Sequence, residues 1–285
     1  MSKLQYEVLQ RASLFLQKNK CEPRVAELLL KHHLGLNQTE FIINMRRKVP
    51  TNLIKKFEAD IKRHAETGVP LQHLTGYEYF YDRKFQVNKD VLIPRPETEE
   101  LLEKAVDLLN RQSHQDRLSI VDVGTGSGII GISLALEIPN VQVYATDISE
   151  KALKVARANA KKHQAKISFL QGDYLQALIE QGKKVDMIIS NPPYIAYEEK
   201  GDLSRTVSQY DPEIALFAEG KGLAAYEKII KQAREVLKAN GHILFEIGHS
   251  QGERVKALIL QGFPRSEVQV IKDMNALDRI VLAKI

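Results

Sequence analysis

Strands and helices alternate along the last two thirds of the chain, and this alternation restricts the fold more than any other feature of the sequence. Five short apolar segments are suited to buried strands: residues 119–123, 141–146, 167–170, 185–190 and 242–247. Helical stretches separate most of them, an order that predicts an α/β fold with a mostly parallel sheet covered on both faces. Two further strands, at 267–271 and 279–283, have no helix between them and should form an antiparallel edge.

The first quarter of the chain has helical patterns instead. Apolar residues recur at helical spacing over 25–32 and 54–61, and Thr39 is expected to cap a short helix between these two stretches. From residue 75 the period changes to two, and Asp82-Arg83-Lys84 supplies a turn, which predicts a β-hairpin. We therefore expect three parts. They are a helical bundle at 1–74, a hairpin linker at 75–92 and an α/β domain at 93–285.

Composition mainly excludes classes of protein. A single cysteine, Cys21, rules out an intramolecular disulfide and a cysteine-rich zinc site, and the histidines lack metal-ligand partners at useful spacing, so we expect no metal. No segment reaches the ~20 apolar residues of a membrane span. The start carries no signal core, which together with the scarcity of cysteine predicts a cytoplasmic location. The formal net charge of +5 permits an RNA or an acidic protein as partner and requires neither.

A glycine-rich loop, Gly124-Thr125-Gly126-Ser127-Gly128, follows the first strand of the α/β part and opens a predicted helix. Glycines allow a sharp turn and a close approach of the backbone to a ligand at a helix N-terminus. Asp147, at the end of the next strand, can accept hydrogen bonds from ribose hydroxyls. The loop therefore predicts an adenosine-bearing ligand. Its spacing with Gly131 leaves a dinucleotide-dependent dehydrogenase open as an alternative.

The third strand of the α/β part ends in Asp173-Tyr174, a pair that suits an adenine ring. Asp173 could accept from the exocyclic amino group, and Tyr174 could lie against the ring. The order of glycine loop, Asp147 and Asp173 resembles the Rossmann-like class I methyltransferases, which use S-adenosylmethionine. Their cofactor lies across the carboxyl ends of the strands.

The segment Asn191-Pro192-Pro193-Tyr194 ends the fourth strand, and its two prolines prevent both a helix and ladder pairing. An amide or aromatic-amine nitrogen is a poor nucleophile, because its lone pair is delocalised. The Asn191 side-chain oxygen and the Pro192 carbonyl could hold both hydrogens of such an NH2 group and turn it toward a methyl donor. The same two acceptors would stabilise positive charge that grows on the nitrogen, and Tyr194 could stack on the planar group.

Further motifs extend the resemblance over nearly the whole chain, and they lie at residues 70–76, 91–99, 209–216, 222–223, 246–248 and 278–279. With the Asn-Pro-Pro-Tyr segment, they resemble the peptide-chain release-factor glutamine N5-methyltransferases. The most specific string is Pro94-Arg95-Pro96-Glu97-Thr98-Glu99. The resemblance implies methylation of the glutamine in the Gly-Gly-Gln loop of class 1 release factors. The helical module and hairpin would grip the release factor, and the enzyme would work as a monomer.

The resemblance also implies roles for individual residues. Those around S-adenosylmethionine are Gly124, Thr125, Gly126, Ser127, Gly128, Asp147, Asp173, Tyr174 and Asn191. Those that hold the glutamine are Asn191, Pro192, Pro193 and Tyr194. Three residues depart from the usual pattern: His73 stands in place of Tyr, Asp211 in place of Glu, and Ala276 in place of Gly.

Two other functions remain to be tested. An adenine N6-methyltransferase acting on nucleic acid would need a basic groove and a means of extruding the base, and the mixed charges do not suggest one. A non-catalytic adaptor would leave the two intact motifs unexplained. No specific nucleic acid is therefore expected as partner.

Arg95 is predicted to form a salt bridge or line the substrate mouth, and Glu97 and Glu99 are predicted to complement a helix dipole or line the cleft.

Overall fold

The computed structural model describes residues 3–112, 118–203 and 205–285. Its strands are β1 (Lys3–Leu4), β2 (Lys48–Val49), β3 (Tyr77–Phe80), β4 (Arg83–Gln86), β5 (Ser119–Val123), β6 (Gln142–Asp147), β7 (Ile167–Gln171), β8 (Val185–Ser190), β9 (Ile195–Ala196), β10 (Phe217–Ala218), β11 (Leu237–Glu246), β12 (Glu267–Lys272) and β13 (Asp278–Lys284). Its helices are α1 (Gln5–Lys18), α2 (Arg24–Leu34), α3 (Gln38–Ile43), α4 (Thr51–Thr67), α5 (Leu71–Thr75), α6 (Glu97–Gln112), α7 (Ile129–Glu137), α8 (Glu150–His163), α9 (Gln176–Glu180), α10 (Arg205–Tyr210), α11 (Glu213–Leu216), α12 (Glu219–Gly222), α13 (Ala224–Val236) and α14 (Gly252–Gly262). A 3-10 helix spans Tyr197–Asp202.

The chain divides into two compact units. The first contains the described parts of Met1–Gly76 and Ser204–Tyr210, and the second those of Tyr77–Leu203 and Asp211–Ile285. The first unit is a helical bundle. Ile54, Phe57 and Ile61 of α4 are buried against apolar side chains of α1 and α2, as their helical spacing predicts.

The cap of the short helix α3 differs from the prediction. Glu40 N donates to the side chain of Asn37 at 2.9 Å, and Asn37 N donates to the Glu40 carboxylate at 2.9 Å. Asn37 is therefore the N-cap, and the prediction of Thr39 as the cap is wrong. The reciprocal pair satisfies two backbone N–H groups at once, which a cap at Thr39 would not do.

Helix α10 lies far along the chain but belongs to the first unit. Tyr210 donates its hydroxyl to the Thr67 carbonyl at 3.0 Å, and Thr206 Oγ1 donates to the Gly68 carbonyl at 3.3 Å. The His73 ring meets the edge of the Tyr210 ring at 6.1 Å between centroids. The departure at His73 therefore lies in the packing of this unit.

In the second unit, β3 and β4 form the expected hairpin. Phe80 pairs with Arg83, so the loop consists of Tyr81 and Asp82, which have φ values of +49° and +58°. The predicted turn at 82–84 is therefore wrong by one residue. Two consecutive positive φ angles match the twist of the flanking strands, and this favours a two-residue loop.

The central sheet has seven strands in the order β12-β13-β11-β8-β5-β6-β7. The run from β11 to β7 is parallel, and β13 pairs antiparallel with both β11 and β12. This topology confirms the predicted α/β class with its antiparallel C-terminal edge. The predicted bounds of β5 and β8 agree with the structure. Strand β11 begins at Leu237, before the predicted residue 242, and its register shifts between Leu237 and His242.

Both faces of the sheet are buried. In β5, Ile120 joins the cluster that includes Leu101 of α6, while Val121 joins the cluster that includes Tyr226 of α13. This alternation follows from the period of two in a strand. Strand β5 lies between β6 and β8, so the connections leave it on opposite sides and a crevice opens at its carboxyl end.

The departure at Ala276 lies in the turn between β12 and β13. Ala276 has φ +60°, and its N–H donates to the Asp273 carbonyl at 2.9 Å. A left-handed conformation costs an L residue about 1–2 kcal/mol, a cost that glycine would not have.

In the part of the chain that the structure describes, no helix combines the length and apolar character needed to cross a membrane.

Candidate functional site

A cleft lies at the carboxyl ends of β5 and β8, where the sheet changes its direction of winding. Its lining includes nine of the residues predicted for the site: Gly124, Thr125, Gly126, Ser127, Asp147, Asp173, Tyr174, Asn191 and Pro193. Three other predicted residues, Gly128, Pro192 and Tyr194, are not part of this lining. The fold therefore gathers segments that are up to about 70 residues apart in the sequence.

The glycine loop combines an open side with a tightly packed side. A Cβ built on Gly124 or Gly126 would meet no heavy atom within 4 Å, so the space above the loop is free for a ligand. A Cβ on Gly128 would lie 2.8 Å from Ile132 Cδ1 and 3.1 Å from Ala156 Cβ. The loop thus needs glycine at 128 because helices α7 and α8 approach each other closely there.

Asp147 is held by the loop that it faces. Its carboxylate accepts from Gly126 N at 2.9 Å and from Ser149 N at 2.8 Å. Burial raises the pKa of Asp147, and the backbone N–H donors oppose this shift. Asp147 lines the cleft, and each of its carboxylate oxygens can accept a further hydrogen bond, which suits vicinal hydroxyl groups.

Asp122 supports the loop from below. Its Oδ2 accepts from Thr125 Oγ1 at 2.6 Å and from Gly131 N at 2.9 Å, while the buried Oδ1 has no hydrogen-bond partner among the described residues. Complete burial raises the pKa of Asp122 to about 6. The shift has a consequence for stability, because the carboxyl group ionises more easily in the unfolded chain.

We predict that Asp122→Asn removes a pH dependence of stability. The folded pKa of about 6 lies above the ordinary value of 3.8, so the folded state holds this proton more tightly and loses stability as pH rises through that window. The wild-type free energy of unfolding should therefore fall by about 2 kcal/mol relative to the variant between pH 4 and 7. Urea unfolding at several pH values measures this difference, and parallel curves for the two proteins would contradict it.

Asp173 and Tyr174 lie at the end of β7, where the sequence predicts them. Tyr174 has φ +55°, a left-handed backbone conformation that is strained for a residue other than glycine. Burial raises the pKa of the half-buried Tyr174 phenol, and the neighbouring Asp173 carboxylate adds to this shift. Asp173 forms an ion pair with Lys228 of α13, a partner that the sequence does not predict.

Asn191 begins a chain of buried hydrogen bonds. Its Nδ2 donates to Thr98 Oγ1 at 3.2 Å, and Thr98 Oγ1 donates to Glu246 Oε2 at 2.7 Å. Thr98 and Glu246 are both 1% exposed. Burial raises the pKa of Glu246 to about 7, and Arg279 and the bond from Thr98 oppose this shift. The Asn191 Oδ1 atom is consequently the end of the amide that remains available to the cleft.

The rest of the Asn-Pro-Pro-Tyr segment is held from behind. Pro192 is buried, and the Tyr194 ring packs in the hydrophobic cluster that includes Tyr226. The Tyr194 carbonyl accepts from Gln251 Nε2 at 2.9 Å, and Gln251 Oε1 accepts from Gly248 N at 3.0 Å. Burial raises the pKa of the Tyr194 phenol to about 12.

Sequence reasoning missed several residues that support the site. Asn159 of α8 is fully buried and donates to the carbonyls of Gln86 and Ser127, both at 2.9 Å, so it connects the hairpin to the glycine loop. Thr98 and Glu246 lie within strings that carry the family resemblance, but spacing alone did not reveal their contact. A possible signal was the charged Glu246 at the end of an otherwise apolar strand.

Arg95 fulfils both predicted roles, since it lines the cleft and bonds Asp211 at 2.7 Å. The buried Asp211 also accepts from Ile93 N at 3.3 Å, so the shorter acid at this departure reaches both donors. Glu97 and Glu99 lie in the first turn of α6, and Glu99 accepts from Tyr81 N at 2.8 Å.

Within the described residues, no group of three or more His, Cys, Asp or Glu side chains could hold a metal ion.

Comparison with known proteins gives close full-length relatives. The release factor glutamine methyltransferase of Bacillus subtilis (strain 168) is 44% identical over 284 residues, which covers 98% of this chain and 97% of the relative. Those of Bacillus cereus and Staphylococcus aureus are each 42% identical, with 98% of both chains covered. This chain belongs to the release factor glutamine methyltransferase family. It is therefore an enzyme, and the dehydrogenase alternative for the glycine loop is excluded.

Family models agree with this membership. The PrmC N-terminal domain matches residues 7–76, and the methyltransferase small domain matches residues 99–208. Among solved structures, the hMettl16 catalytic domain in complex with MAT2A 3′UTR hairpin 6 is 16% identical with a TM-score of 0.54, covering 84% of each chain. The N-terminal domain of human METTL16 in complex with SAH is 15% identical with a TM-score of 0.50, covering 85% of this chain and 86% of that one. At such identities the likeness shows the class I methyltransferase fold alone.

Proposed function

We propose that this enzyme transfers a methyl group from S-adenosylmethionine to the side-chain amide nitrogen of a glutamine. The target is the glutamine of the Gly-Gly-Gln motif in class 1 peptide-chain release factors, and its methylation would modulate translation termination. The observation that carries the proposal is the Asn191 amide, which lines the cleft and donates to Thr98, so that Oδ1 is left to accept from a substrate N–H. The names of relatives that are 42–44% identical support a release factor as substrate.

The residues of the cleft fit S-adenosylmethionine. The open space beside Gly124 and Gly126 admits a ligand close to the backbone, and Asp147 offers acceptors to ribose hydroxyls. Asp173 would accept from the adenine amino group, and Tyr174 would cover the ring. When bound, S-adenosylmethionine supplies an electrophilic methyl group on a sulfonium sulfur.

The protein's own task is to orient the amide nitrogen. Asn191 Oδ1 and the Pro192 carbonyl would each accept one N–H of the glutamine side chain, which fixes the plane of the amide. The two acceptors also stabilise positive charge that develops on the nitrogen as its bond to carbon forms. No strong base is needed, because the methylated nitrogen loses its proton readily. Pro193 lines the cleft beside this amide position, and Tyr194 supports the segment from the core.

The helical part would recognise the release factor away from the chemistry. Residues 1–76 contain 13 Lys and Arg against 7 Asp and Glu, whereas the whole chain has a net charge of +5. The positive charge is thus concentrated in the helical bundle, which favours approach to an acidic protein surface. In this proposal, residues 1–74 form the recognition domain, 75–92 the hairpin linker and 93–285 the transferase domain.

We also propose that the enzyme acts as a monomer in the cytoplasm. The described part of the cleft is lined by residues of one unit of a single chain, so its residues can be assembled without a second copy. A chain with one cysteine suits a reducing compartment.

A labelling assay tests the function. Purified enzyme with S-adenosylmethionine labelled in its methyl group should label a class 1 release factor, and replacement of the target glutamine by alanine should abolish the signal. Labelling that persists in the substituted release factor would overturn the assignment of the target. DNA and RNA oligonucleotides assayed under the same conditions should stay unlabelled, and transfer to adenine would overturn the protein substrate.

A further inference from the structure

The hydrogen bonds behind Asn191 can run in one direction only. An ionised carboxylate accepts hydrogen bonds and cannot donate them, so the single proton of the Thr98 hydroxyl must point to Glu246 Oε2, 2.7 Å away. Thr98 Oγ1 is then limited to accepting from Asn191. The Asn191 side chain must therefore present Nδ2 to Thr98, at 3.2 Å, and cannot present Oδ1 there.

This polarity matters because an asparagine amide has two ends of similar size. If Asn191 were rotated by half a turn about its last bond, Nδ2 would face the substrate and offer a donor where an acceptor is needed. The Thr98 hydroxyl could not prevent this rotation by itself, because a hydroxyl can donate as well as accept. The negative charge on Glu246 determines the direction of both hydrogen bonds, from Asn191 to Thr98 and from Thr98 to Glu246.

Resting on the proposed function, we infer that Thr98 and Glu246 are positioning residues that hold the Asn191 amide with Oδ1 toward the glutamine N–H. Both side chains are almost completely buried, so water does not compete for these bonds. The negative charge of Glu246 also polarises the hydrogen bonds through Thr98 to Asn191, which makes Asn191 Oδ1 a stronger acceptor. Thr98 on α6 and Glu246 on β11 would then serve the reaction through Asn191.

The charged groups around Glu246 allow its ionisation to change near neutral pH. Glu97 of α6 and the Tyr194 phenol interact with it electrostatically, and Arg279 of β13 opposes the effect of Glu97. The Asn191 side chain also forms a hydrogen bond with the Glu246 carboxylate, and the Tyr226 hydroxyl donates to the Glu246 backbone carbonyl at 2.8 Å. Burial raises the pKa of Glu246 to about 7. A protonated Glu246 can donate to Thr98. The Thr98 hydroxyl is then free to donate to Asn191, and the orientation of the Asn191 amide is no longer enforced.

The first test compares Thr98→Val with Thr98→Ser. The valine variant keeps the shape but loses the hydroxyl, so kcat should fall about tenfold or more, while the Kd for S-adenosylmethionine should stay within about twofold. The serine variant keeps the hydroxyl and should restore most of the rate. Ser133→Ala is the control, because Ser133 is fully buried and its Oγ has no hydrogen-bond partner among the described residues. Loss of that hydroxyl should leave kcat unchanged.

The second test uses pH and nuclear magnetic resonance. Wild-type kcat should fall as pH decreases below about 7, and Glu246→Gln should have a lower kcat without this pH dependence. In 15N-labelled enzyme, the Asn191 side-chain amide, assigned by its absence in Asn191→Ala, should shift near pH 7 in wild type and Thr98→Ser. The shift should be clearly smaller in Thr98→Val, where only the direct hydrogen bond between Asn191 and Glu246 remains. This spectrum needs no acceptor substrate. A release factor that is not methylated would therefore overturn the proposed function alone, whereas an Asn191 signal that titrates equally in all variants, or a normal kcat in Thr98→Val, would overturn this inference.

Discussion

Asn191→Ala should lower the rate of methyl transfer to the release factor by about 10²–10³-fold while the enzyme stays folded and retains part of its affinity for S-adenosylmethionine. The expected loss is large because Oδ1 is the acceptor that orients the amide and stabilises its developing charge. Asn191 also touches the cleft, so a modest weakening of cofactor binding is expected. Single-turnover rates and calorimetric cofactor affinity separate the two effects.

Asn191→Gln is the matched control for this result. It keeps the amide group but places it one methylene further from the strand end, so it should be nearly as inactive as the alanine variant. A rate for either variant within about threefold of wild type would exclude orientation by the Asn191 amide as the source of catalysis. Equal losses of rate and cofactor affinity would instead assign Asn191 to cofactor binding.

Gly222→Ala should produce the largest loss of stability and should also abolish transfer. Gly222 has φ +80°, and a Cβ there would lie 2.1 Å from the Tyr194 carbonyl oxygen and 2.7 Å from Gln251 Nε2. Relief of the clash would move the Asn-Pro-Pro-Tyr segment or break the bond from Gln251 to Tyr194. We expect a loss of about 3–5 kcal/mol in the free energy of unfolding, measured with urea.

Gly220→Ala isolates the effect of the clash. Gly220 has a similar φ of +63°, but a Cβ there would find only Ala224 Cβ, at 3.9 Å. The control variant therefore has the backbone strain alone, and should lose about 1 kcal/mol and keep most of its transfer rate. Similar losses in the two variants would show that Gly222 is required for its backbone angle and not for the space beside Tyr194.

Much of the fold could be predicted because the central strands are buried on both faces. The bounds of β5 and β8 follow from short, mostly apolar runs, which are typical of a buried parallel sheet. The predictions were less accurate at turns and helix ends, because these depend on the backbone angles and side-chain hydrogen bonds of a few residues and not on the pattern of apolar residues. The hairpin turn at Tyr81-Asp82 depends on two positive φ angles, and the cap of α3 depends on a reciprocal pair between Asn37 and Glu40.

The sequence by itself determined the α/β class, the glycine loop and the Asn-Pro-Pro-Tyr segment, because each depends on residues that are neighbours along the chain. Only the tertiary structure decided what holds these motifs in place. Thr98 lies 93 residues from Asn191 and 148 from Glu246, and Gln251 lies 57 residues from Tyr194. Such contacts form where the carboxyl ends of parallel strands meet helices from elsewhere in the chain, and no local period or spacing encodes the direction of the hydrogen bonds between them.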